Sequence, residues 1–155
     1  MKLIVFSDSH RELDHMRDVI AREKPDYVFH LGDHDADAED IRYEYQSLPV
    51  AMVRGNCDGW SDTPESLSLV LSGVRFFLCH GHRYGVKHSI STAVYAALEE
   101  NADVLLYGHT HVANQDEISG IKVLNPGSCG YCSRPSYGFF LLENNAILDW
   151  GIRPC

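Results

Sequence analysis

The sequence is poor in basic residues and has no long apolar segment. Its 13 lysines and arginines stand against 22 aspartates and glutamates, which gives a formal net charge of −9 at pH 7. Loose binding to nucleic acid or to an anionic membrane needs a basic surface, so this charge argues against both. Because the apolar residues 3–6 are soon followed by charged ones, the sequence predicts neither a signal peptide nor a spanning helix. We expect a cytoplasmic protein that binds no membrane and no long nucleic acid.

Cysteine is sparse, and its five residues cannot all pair with one another. Disulfide frameworks are typical of short secreted chains, whereas 155 residues suffice to bury a core without such bonds. We therefore predict reduced thiols and a single domain over residues 1–155. Cys129 and Cys132 form a C-x-x-C pair, which can indicate redox chemistry or half of a zinc site. Because the sequence has no second such pair, neither function is favoured.

The first third of the chain alternates short apolar runs with segments of helical spacing. Residues 2–7, 27–31 and 50–53 are predicted to be strands, and residues 12–23 and 35–46 are predicted to be helices. This alternation is typical of a parallel sheet whose strands are connected by crossover helices.

The pattern changes after residue 65. Residues 66–71 and 74–80 are typical of two strands in a hairpin that turns at Ser72-Gly73. A helix is predicted over residues 88–100. Further strands are predicted at residues 104–107, 121–124, 137–142 and 146–152. The sequence therefore predicts an α/β fold in which two β-sheets pack together with helices outside.

Five polar loops directly follow predicted strands. They are Asp8-Ser9-His10, Gly32-Asp33, Gly55-Asn56-Cys57-Asp58, His80-Gly81-His82 and Gly108-His109-Thr110-His111. In open α/β sheets, ligands bind outside the carboxyl ends of the strands. The five loops are therefore predicted to converge on one site.

These loops offer carboxylates, imidazoles and one amide oxygen as metal ligands. The candidate ligands are Asp8, His10, Asp33, Asn56, His80, His109 and His111. Such a mixture of oxygen and nitrogen suits manganese, iron, zinc or nickel better than calcium. A missing side chain beside a ligand permits a sharp turn or a close approach to a bound phosphate. Four glycines stand in such positions: Gly32, Gly55, Gly81 and Gly108.

The order of these motifs resembles the calcineurin-like metallophosphoesterase superfamily, whose pattern is D-x-H, G-D, G-N-(H/C)-(D/E), H-G and G-H-x-H. The likeness covers about residues 1–128. Gly-Asn-Cys-Asp at residues 55–58 and Asn-Pro-Gly-Ser at residues 125–128 make the chain similar to the YfcE-type branch of small phosphodiesterases. The resemblance implies a four-layer α-β-β-α sandwich of two mixed β-sheets flanked by helices.

The resemblance also implies a site for two divalent ions. One ion is expected on Asp8, His10, Asp33 and His111, and the other on Asp33, Asn56, His80 and His109. Manganese is expected, with nickel, iron, zinc or magnesium as alternatives. Two ions about 3.5–4 Å apart that share a water lower its pKa toward roughly 7, which leaves a bridging hydroxide to attack phosphorus.

Asn56, Cys57 and His82 are the expected catalytic residues. Cys57 stands where many larger relatives carry a histidine that helps to protonate or stabilise the leaving oxygen. A neutral thiol is a poor substitute, so we expect a preference for diesters with good leaving groups over alkyl monoesters. His82 is expected to face substrate rather than to hold an ion. Residues 129–135 replace a Pro-Arg pair of the branch, which leaves the role of Arg134 open.

Several of these residues also have simpler interpretations. Asp8 is suited to cap the helix that follows it. His80 is suited to be a structural histidine at a strand end, with its ring nitrogens hydrogen-bonded. His30 is expected to be a packed histidine within its strand rather than a ligand. The acidic run over residues 35–40 is expected to be a solvated helix start. Asp58 is expected to form a turn and to orient a neighbour such as a ligand histidine.

The function favoured by these motifs is hydrolysis of a small phosphodiester by a metal-dependent phosphoesterase. A phosphomonoesterase or a nuclease of the same superfamily is the nearest alternative. A different class is a non-catalytic scaffold for protein contacts, because the fold resembles that of a retromer subunit with a degenerate metal site. All seven candidate ligands are present here, which favours the enzyme. A homodimer or homotetramer is the assembly that the relatives suggest.

Overall fold

The computed structural model describes residues 1–130 and 132–155, which form ten strands and three α-helices. The strands are β1 (Lys2–Phe6), β2 (Tyr27–His30), β3 (Val50–Met52), β4 (Ser66–Leu71), β5 (Val74–Cys79), β6 (Val104–Leu106), β7 (Asn114–Ile118), β8 (Ile121–Asn125), β9 (Ser136–Glu143) and β10 (Ala146–Pro154). The helices are α1 (Asp14–Glu23), α2 (Asp35–Glu44) and α3 (Ser91–Glu99), and a short 3₁₀ helix covers His82–Tyr84.

The strands form two mixed sheets of five. The first sheet has the order β10-β9-β1-β2-β3, in which β1, β2 and β3 are parallel and β9 is antiparallel to β1. The second has the order β4-β5-β6-β8-β7, in which β5, β6 and β8 are parallel and the antiparallel strands β4 and β7 form the edges. Parallel strands end at the same edge of a sheet. The loops after β1, β2 and β3 therefore lie together, as do those after β5 and β6.

Alternating side chains of β1 point to the two faces of the first sheet. Leu3 packs in a core shared with Phe76 of the second sheet. Its neighbour Ile4 packs on the opposite face with Met16 of α1 and Ile41 of α2. The largest core thus lies between the sheets, and α1 and α2 cover the outside of the first sheet.

Helix α3 covers the outer face of the second sheet. Its buried residues Ala93, Val94 and Ala97 pack with Leu105 of β6 and Val123 of β8. The order of layers is helices, first sheet, second sheet and helix. The predicted four-layer α-β-β-α sandwich is therefore confirmed.

The helices are short. Helix α3 begins at Ser91 rather than at residue 88, because the N–H groups of His88 and Ser89 both donate to the carbonyl of Gly85 in a preceding turn. Within the described part of the chain, no helix is long and apolar enough to cross a membrane.

The predicted hairpin is confirmed, whereas one edge strand was not predicted. Residues Ser72 and Gly73 have φ angles of 45° and 74°, and they connect antiparallel strands β4 and β5. Strand β7 reads Asn-Gln-Asp-Glu-Ile and is exposed along most of its length, so it lacks the apolar alternation that indicates a strand.

Candidate metal centre

Two groups of ligand side chains meet where both sheets end, and they share one aspartate. The first group is Asp8, His10, Asp33 and His111, and the second is Asp33, His80 and His109. Within each group, the ligand atoms all lie within 4.8 Å of one another. The loops predicted to converge therefore do so, and Asp33 occupies the position expected of a bridging ligand.

The ligand atoms are close enough to surround small cations. Asp8 Oδ1 lies 3.1 Å from His111 Nε2, and Asp33 Oδ1 lies 3.4 Å from His80 Nε2. The Nε2 atoms of His10 and His111 are 3.3 Å apart. Ligands from both sheets thus approach one another directly.

Three atoms of the site are buried and lack a hydrogen-bond partner among the described residues. They are Asp8 Oδ1, His80 Nε2 and His82 Nδ1. An unsatisfied buried polar atom is costly, and such atoms are uncommon in native proteins. Divalent cations coordinated by Asp8 Oδ1 and by His80 Nε2, one ion for each atom, would remove that cost for these two atoms. The residues present therefore fit a metal centre.

A contact between the sheets fixes the orientation of His80. Its Nδ1 lies 2.7 Å from the carbonyl oxygen of Leu31, so Nδ1 carries the proton that is donated to that oxygen. The opposite nitrogen, Nε2, is then a lone-pair donor directed into the site. Metal-binding histidines are commonly oriented by such a second hydrogen bond.

The second oxygen of Asp8 is held by two donors. Asp8 Oδ2 accepts hydrogen bonds from the Ser7 hydroxyl at 2.5 Å and from the backbone N–H of His109 at 3.1 Å. The main-chain carbonyl of Asp8 accepts from the Ser128 hydroxyl at 2.8 Å. These contacts leave only Oδ1 directed toward the ligand cluster.

The Asn-Pro-Gly-Ser loop supports the two loops that it contacts. The buried Asn125 amide donates to the carbonyl of Gly108 at 3.0 Å and to the Thr110 hydroxyl at 2.9 Å. Ser128 holds Asp8 in the same way from the other end of the loop. The sequence singled out these residues only by family likeness, and the structure shows that they position ligands.

Asp58 organises backbone rather than a histidine ring. Its carboxylate accepts hydrogen bonds from the N–H groups of Asp33, His34, Asp35 and Gly55 at 2.7–3.2 Å. Asp58 forms a turn with Gly55 and positions a neighbour, Asp33, as predicted, but the groups that it holds are main-chain N–H groups rather than a histidine ring. Asp58 instead joins the Asp33 loop, the start of α2 and the Asn56 loop.

Five ligand residues have a left-handed backbone. Their φ angles are 54° for Asp8, 48° for His10, 57° for Asp33, 68° for His109 and 58° for His111. Positive φ is uncommon outside glycine and gathers at functional sites, where the surrounding structure must hold it. The ligands thus occupy sharp turns that aim their side chains back across the strand ends.

Two glycines leave room for the ligand carboxylates themselves. A Cβ at Gly55 would lie 2.2 Å from Asp33 Oδ1, whereas a Cβ at Gly108 would lie 2.0 Å from Ser7 Oγ and 2.9 Å from Asp8 Oδ2. The sequence predicted a sharp turn or space for a bound phosphate at these positions. The structure shows instead that the absent side chains make space for Asp33 and for the hydrogen-bonded pair of Ser7 and Asp8.

The electrostatics of the site favour cation binding. Burial opposes ionisation of Asp8, but His111, His80 and the Ser7 hydroxyl together outweigh burial and lower the pKa of Asp8. Burial likewise opposes ionisation of Asp33, yet His80 and Cys57 together take the pKa of Asp33 far below its ordinary value.

Burial and the charge of His80 lower the pKa of His109. The carboxylates in turn raise the pKa of His80, despite its burial, and the pKa of His111. Ionised carboxylates and neutral imidazoles are the forms that bind metals, so a bound cation replaces protons at these two rings.

The predicted catalytic residues line the exposed side of the centre. The Cys57 N–H donates to Asp33 Oδ1 at 2.9 Å, and the Asn56 amide lies 3.4 Å from Cys57 Sγ. Partial burial and the charge of Asp33 raise the pKa of Cys57 to about 11, so its thiol is neutral. The His82 ring lies 5.4 Å from the His80 ring. The ligand role of Asn56 stays a prediction.

Two of the simpler interpretations are decided by contacts. Asp8 does not cap α1, because the residue before that helix is Leu13. His30 is buried and belongs to a hydrogen-bond chain instead of the ligand groups. Its Nδ1 accepts from the Gly32 N–H at 3.3 Å, its Nε2 donates to Ser9 Oγ at 3.0 Å, and Ser9 donates to Asp37 at 2.6 Å.

The acidic start of α2 is not simply solvated. Asp35 and Asp37 are buried, since Asp35 accepts a hydrogen bond from Ser61 and Asp37 accepts from the Arg11 N–H at 2.8 Å. The expectation of a solvated run is therefore wrong for these two residues. It holds for the exposed Asp40.

The C-x-x-C pair does not form a compact site in the described residues. Cys129 is buried in the core beside α1, whereas Cys132 is exposed. Neither belongs to a metal-ligand group among the residues that the structure describes. Arg134 is exposed in the segment before β9, and its role stays open.

Comparison with known proteins decides the family. The profile of the calcineurin-like phosphoesterase superfamily domain matches residues 1–146. The chain belongs to the calcineurin-like phosphoesterase superfamily. The family predicted from the order of the five loops is thus confirmed.

Within the calcineurin-like phosphoesterases, the chain is similar to three proteins over most of their length. The chain is 31% identical to the probable metallophosphoesterase YsnB of Bacillus subtilis, over 94% of this chain and 87% of that protein. It is 29% identical to a phosphodiesterase of Methanocaldococcus jannaschii, over 84% and 86% of the two chains. A predicted phosphoesterase of Streptococcus pneumoniae superimposes with a TM-score of 0.78 at 30% identity, over 92% and 83%. These likenesses support the small-phosphodiesterase branch.

The sequence did not reveal a cluster of charged side chains at the border of this phosphoesterase centre. Arg54 and Arg83 both contact Glu65, beside His82 and the Asn56 loop. The three charged residues are distant in the sequence and form no recognisable motif. Their common feature, proximity to the candidate metal centre, exists only in the folded chain.

Proposed function

We propose that the chain is a phosphodiesterase that hydrolyses small phosphodiesters and requires two divalent ions. The observation that carries the proposal is the pair of ligand groups that share Asp33. A single shared carboxylate between two such groups is suited to two neighbouring cations. Membership of the phosphoesterase superfamily and the phosphodiesterase among the relatives support the same conclusion.

In this proposal, each ion has ligands from both sheets. One ion is held by Asp8, His10, Asp33 and His111, and the other by Asp33, Asn56, His80 and His109. Bound divalent ions polarise phosphoryl oxygens and lower the pKa of a shared water toward about 7. Manganese is the proposed metal, and the combination of carboxylate oxygens with imidazole nitrogens is compatible with it.

The side chains themselves prepare the site for a phosphate ester. Asp8 and Asp33 supply two negative charges, which only partly neutralise two divalent cations, so an anionic phosphodiester remains attracted. Buried His80 and Asp8 fix the inner side of the site, whereas His111 is exposed on the outer side. A substrate therefore approaches from the side of His10 and His111.

Two observations favour a diesterase over the alternatives. Every predicted Asp and His ligand lies in one of the two groups, whereas a scaffold would tolerate their loss. The neutral Cys57 beside Asp33 offers no positive charge to a leaving oxygen. Poor leaving groups, such as those of alkyl monoesters, depend most on that help.

The test uses purified protein with added manganese and three substrates. These are bis(p-nitrophenyl) phosphate, p-nitrophenyl phosphate and single-stranded DNA. We expect the aryl diester to be hydrolysed fastest and the DNA slowest. Equal or faster turnover of the monoester would replace the proposal by a phosphomonoesterase, and bound metal with no turnover of any substrate would favour a scaffold.

A matched pair of variants connects turnover to the metal centre. Asp33→Asn removes the shared charge, so it should lose most bound manganese and most diesterase activity. Asp18→Asn makes the same change at an exposed position of α1 and should change neither. Metal content is measured by atomic emission beside the rate. Full metal content and full activity in Asp33→Asn would overturn the assignment of the site.

A further inference from the structure

A second cavity opens beside the ligand group that contains His80 and His109. It has a volume of about 330 Å³ and is lined by Arg54, Asn56, Glu65, His82 and Arg83, among others. Because Asn56 and His82 belong to the border of the candidate metal centre, a substrate bound there can extend directly into this cavity.

Two arginine side chains meet in this cavity. Arg54 Nη2 and Arg83 Nη2 each lie 2.8 Å from the same oxygen of Glu65. A second carboxylate, that of Asp58, also lines the cavity, but it accepts hydrogen bonds from four backbone N–H groups.

The two arginines retain hydrogen-bond capacity for a ligand. Each guanidinium has five N–H donors. Among the described contacts, Arg54 uses donors for Glu65 and for the carbonyl of Ser61, and Arg83 uses one donor for Glu65. Arginine binds phosphate oxygens through parallel hydrogen bonds, and two neighbouring arginines favour a doubly charged group.

An adjoining cavity is richer in carboxylates. It has a volume of about 790 Å³, shares Asp58 and Gly59 with the arginine-lined cavity, and is also lined by Arg11 and by Glu39, Asp40 and Asp62. An additional anionic group of the substrate would be repelled from these carboxylates. The two cavities therefore give the substrate a direction, with any extra negative charge at the arginine side.

We infer that the Arg54–Arg83 cavity binds a second phosphate group, carried by the same substrate whose diester lies at the metal centre. The inference rests on the proposed function, since it assigns the substrate class of the same site. The preferred substrate is then a small diester with an additional phosphate, such as a short phosphorylated nucleotide chain.

The test compares two dinucleotides that differ by one phosphate, ApA and its 5′-phosphorylated form pApA, on manganese-loaded protein. Charge-assisted hydrogen bonds to phosphate are worth about tenfold or more in affinity, so pApA should have a KM at least about tenfold lower. In Arg83→Ala, the ratio of the two KM values should fall toward one. Arg83→Lys keeps the charge without the paired donors and should give an intermediate ratio.

Arg42→Ala is the matched control, because Arg42 is also an exposed arginine in an ion pair with a glutamate, Glu39, but lies outside the cavity. It should keep the full preference for pApA. Equal KM values in the unmodified protein, or an unchanged ratio in Arg83→Ala, would overturn the inference.

Failure of the inference and failure of the proposed function give different results. Hydrolysis of bis(p-nitrophenyl) phosphate reports the metal centre without a second phosphate. If no substrate is hydrolysed, the proposed function fails. The dissociation constants of ApA and pApA, measured by calorimetry on the same protein, then still decide whether the cavity selects the phosphate.

Discussion

The carboxylate of Asp58 holds the backbone N–H of Asp33, with an N–O distance of 3.0 Å. The same carboxylate accepts from Gly55, at the start of the loop that contains Asn56 and Cys57. One buried side chain therefore sets the distance between the shared aspartate and the neighbouring loop. The carboxylate of Asp58 accepts hydrogen bonds from backbone N–H groups and belongs to neither ligand group, so Asp58 is a positioning residue.

Replacing Asp58 should weaken both the fold and the metal centre. Asp58→Ala leaves four backbone donors without their acceptor, and we expect it to lower the free energy of unfolding by about 2–3 kcal/mol. Loss of a residue that orients ligands typically costs about tenfold or more in metal affinity. Urea unfolding and manganese titration measure the two effects.

Asp103→Ala is the control for Asp58→Ala. Asp103 also accepts a backbone hydrogen bond, from the Arg75 N–H at 2.8 Å, but on the second sheet away from the ligands. Asp103→Ala should lower the free energy of unfolding by about 1 kcal/mol or less and leave the affinity for manganese unchanged. An equal loss of affinity in both variants would show that Asp58 has no special effect on the centre.

A single methyl group should be enough to disturb the shared ligand. Gly55→Ala places a Cβ 2.2 Å from Asp33 Oδ1, so the carboxylate must move away from its position. We expect a loss of most manganese binding and a destabilisation of about 1–3 kcal/mol. The neighbouring Gly59 has open space around its Cα, so Gly59→Ala should be nearly neutral. Metal content and thermal melting of the two variants check this, and a Gly55→Ala protein with full metal content would contradict it.

The sequence predicted the fold, and the convergence of the candidate ligands, where local patterns carry the information. The apolar runs end at the polar loops, which placed Asp8, Asp33 and His80 at strand ends, and the structure brings these side chains together. Their role as metal ligands stays a prediction. The polar strand β7 was missed because it is an exposed edge held by backbone pairing with β8, which leaves no apolar pattern. Pairing of Arg54 with Arg83 through Glu65 depends on long-range folding, which no spacing along the chain indicates.

A glutamate far from the metal centre should make stability depend on pH. Glu23 accepts hydrogen bonds from the Tyr137 hydroxyl at 2.9 Å and from Lys2 Nζ at 3.2 Å. Burial opposes its ionisation, but these contacts outweigh burial and lower the pKa of Glu23 below the ordinary 4.5. The folded state therefore gains stability from ionised Glu23 above pH 4.5. That gain is lost as the pH falls through the lowered pKa.

Glu23→Gln isolates this contribution. At neutral pH, the variant should be less stable than the original chain by about 1–2 kcal/mol, and the difference should shrink in acid. Glu143→Gln changes an exposed glutamate at the end of β9 and serves as the control. Urea unfolding at neutral and acidic pH gives the comparison. A difference that grows on acidification would show that the sign is wrong.

Restoring an imidazole at position 57 should widen the range of substrates. Cys57→His places a group that can carry a proton and a positive charge beside Asp33. We expect hydrolysis of an alkyl phosphomonoester to rise by about tenfold or more, because general acid help matters most for poor leaving groups. Cys57→Ser has no such group and should give no rise. Equal rates of the original chain on alkyl monoesters and aryl diesters would refute the role given to Cys57.

The split origin of the ligands has a consequence for the whole molecule. Asp8 and Asp33 come from the first sheet, whereas His80 and His109 come from the second, and the chain returns to the first sheet for β9. Under the proposed function, the bound ions would connect the two sheets of the sandwich. Neither sheet alone supplies all the ligands of either ion, so a fragment made of one sheet would bind neither cation. The same side chains would then serve both catalysis and the stability of the fold.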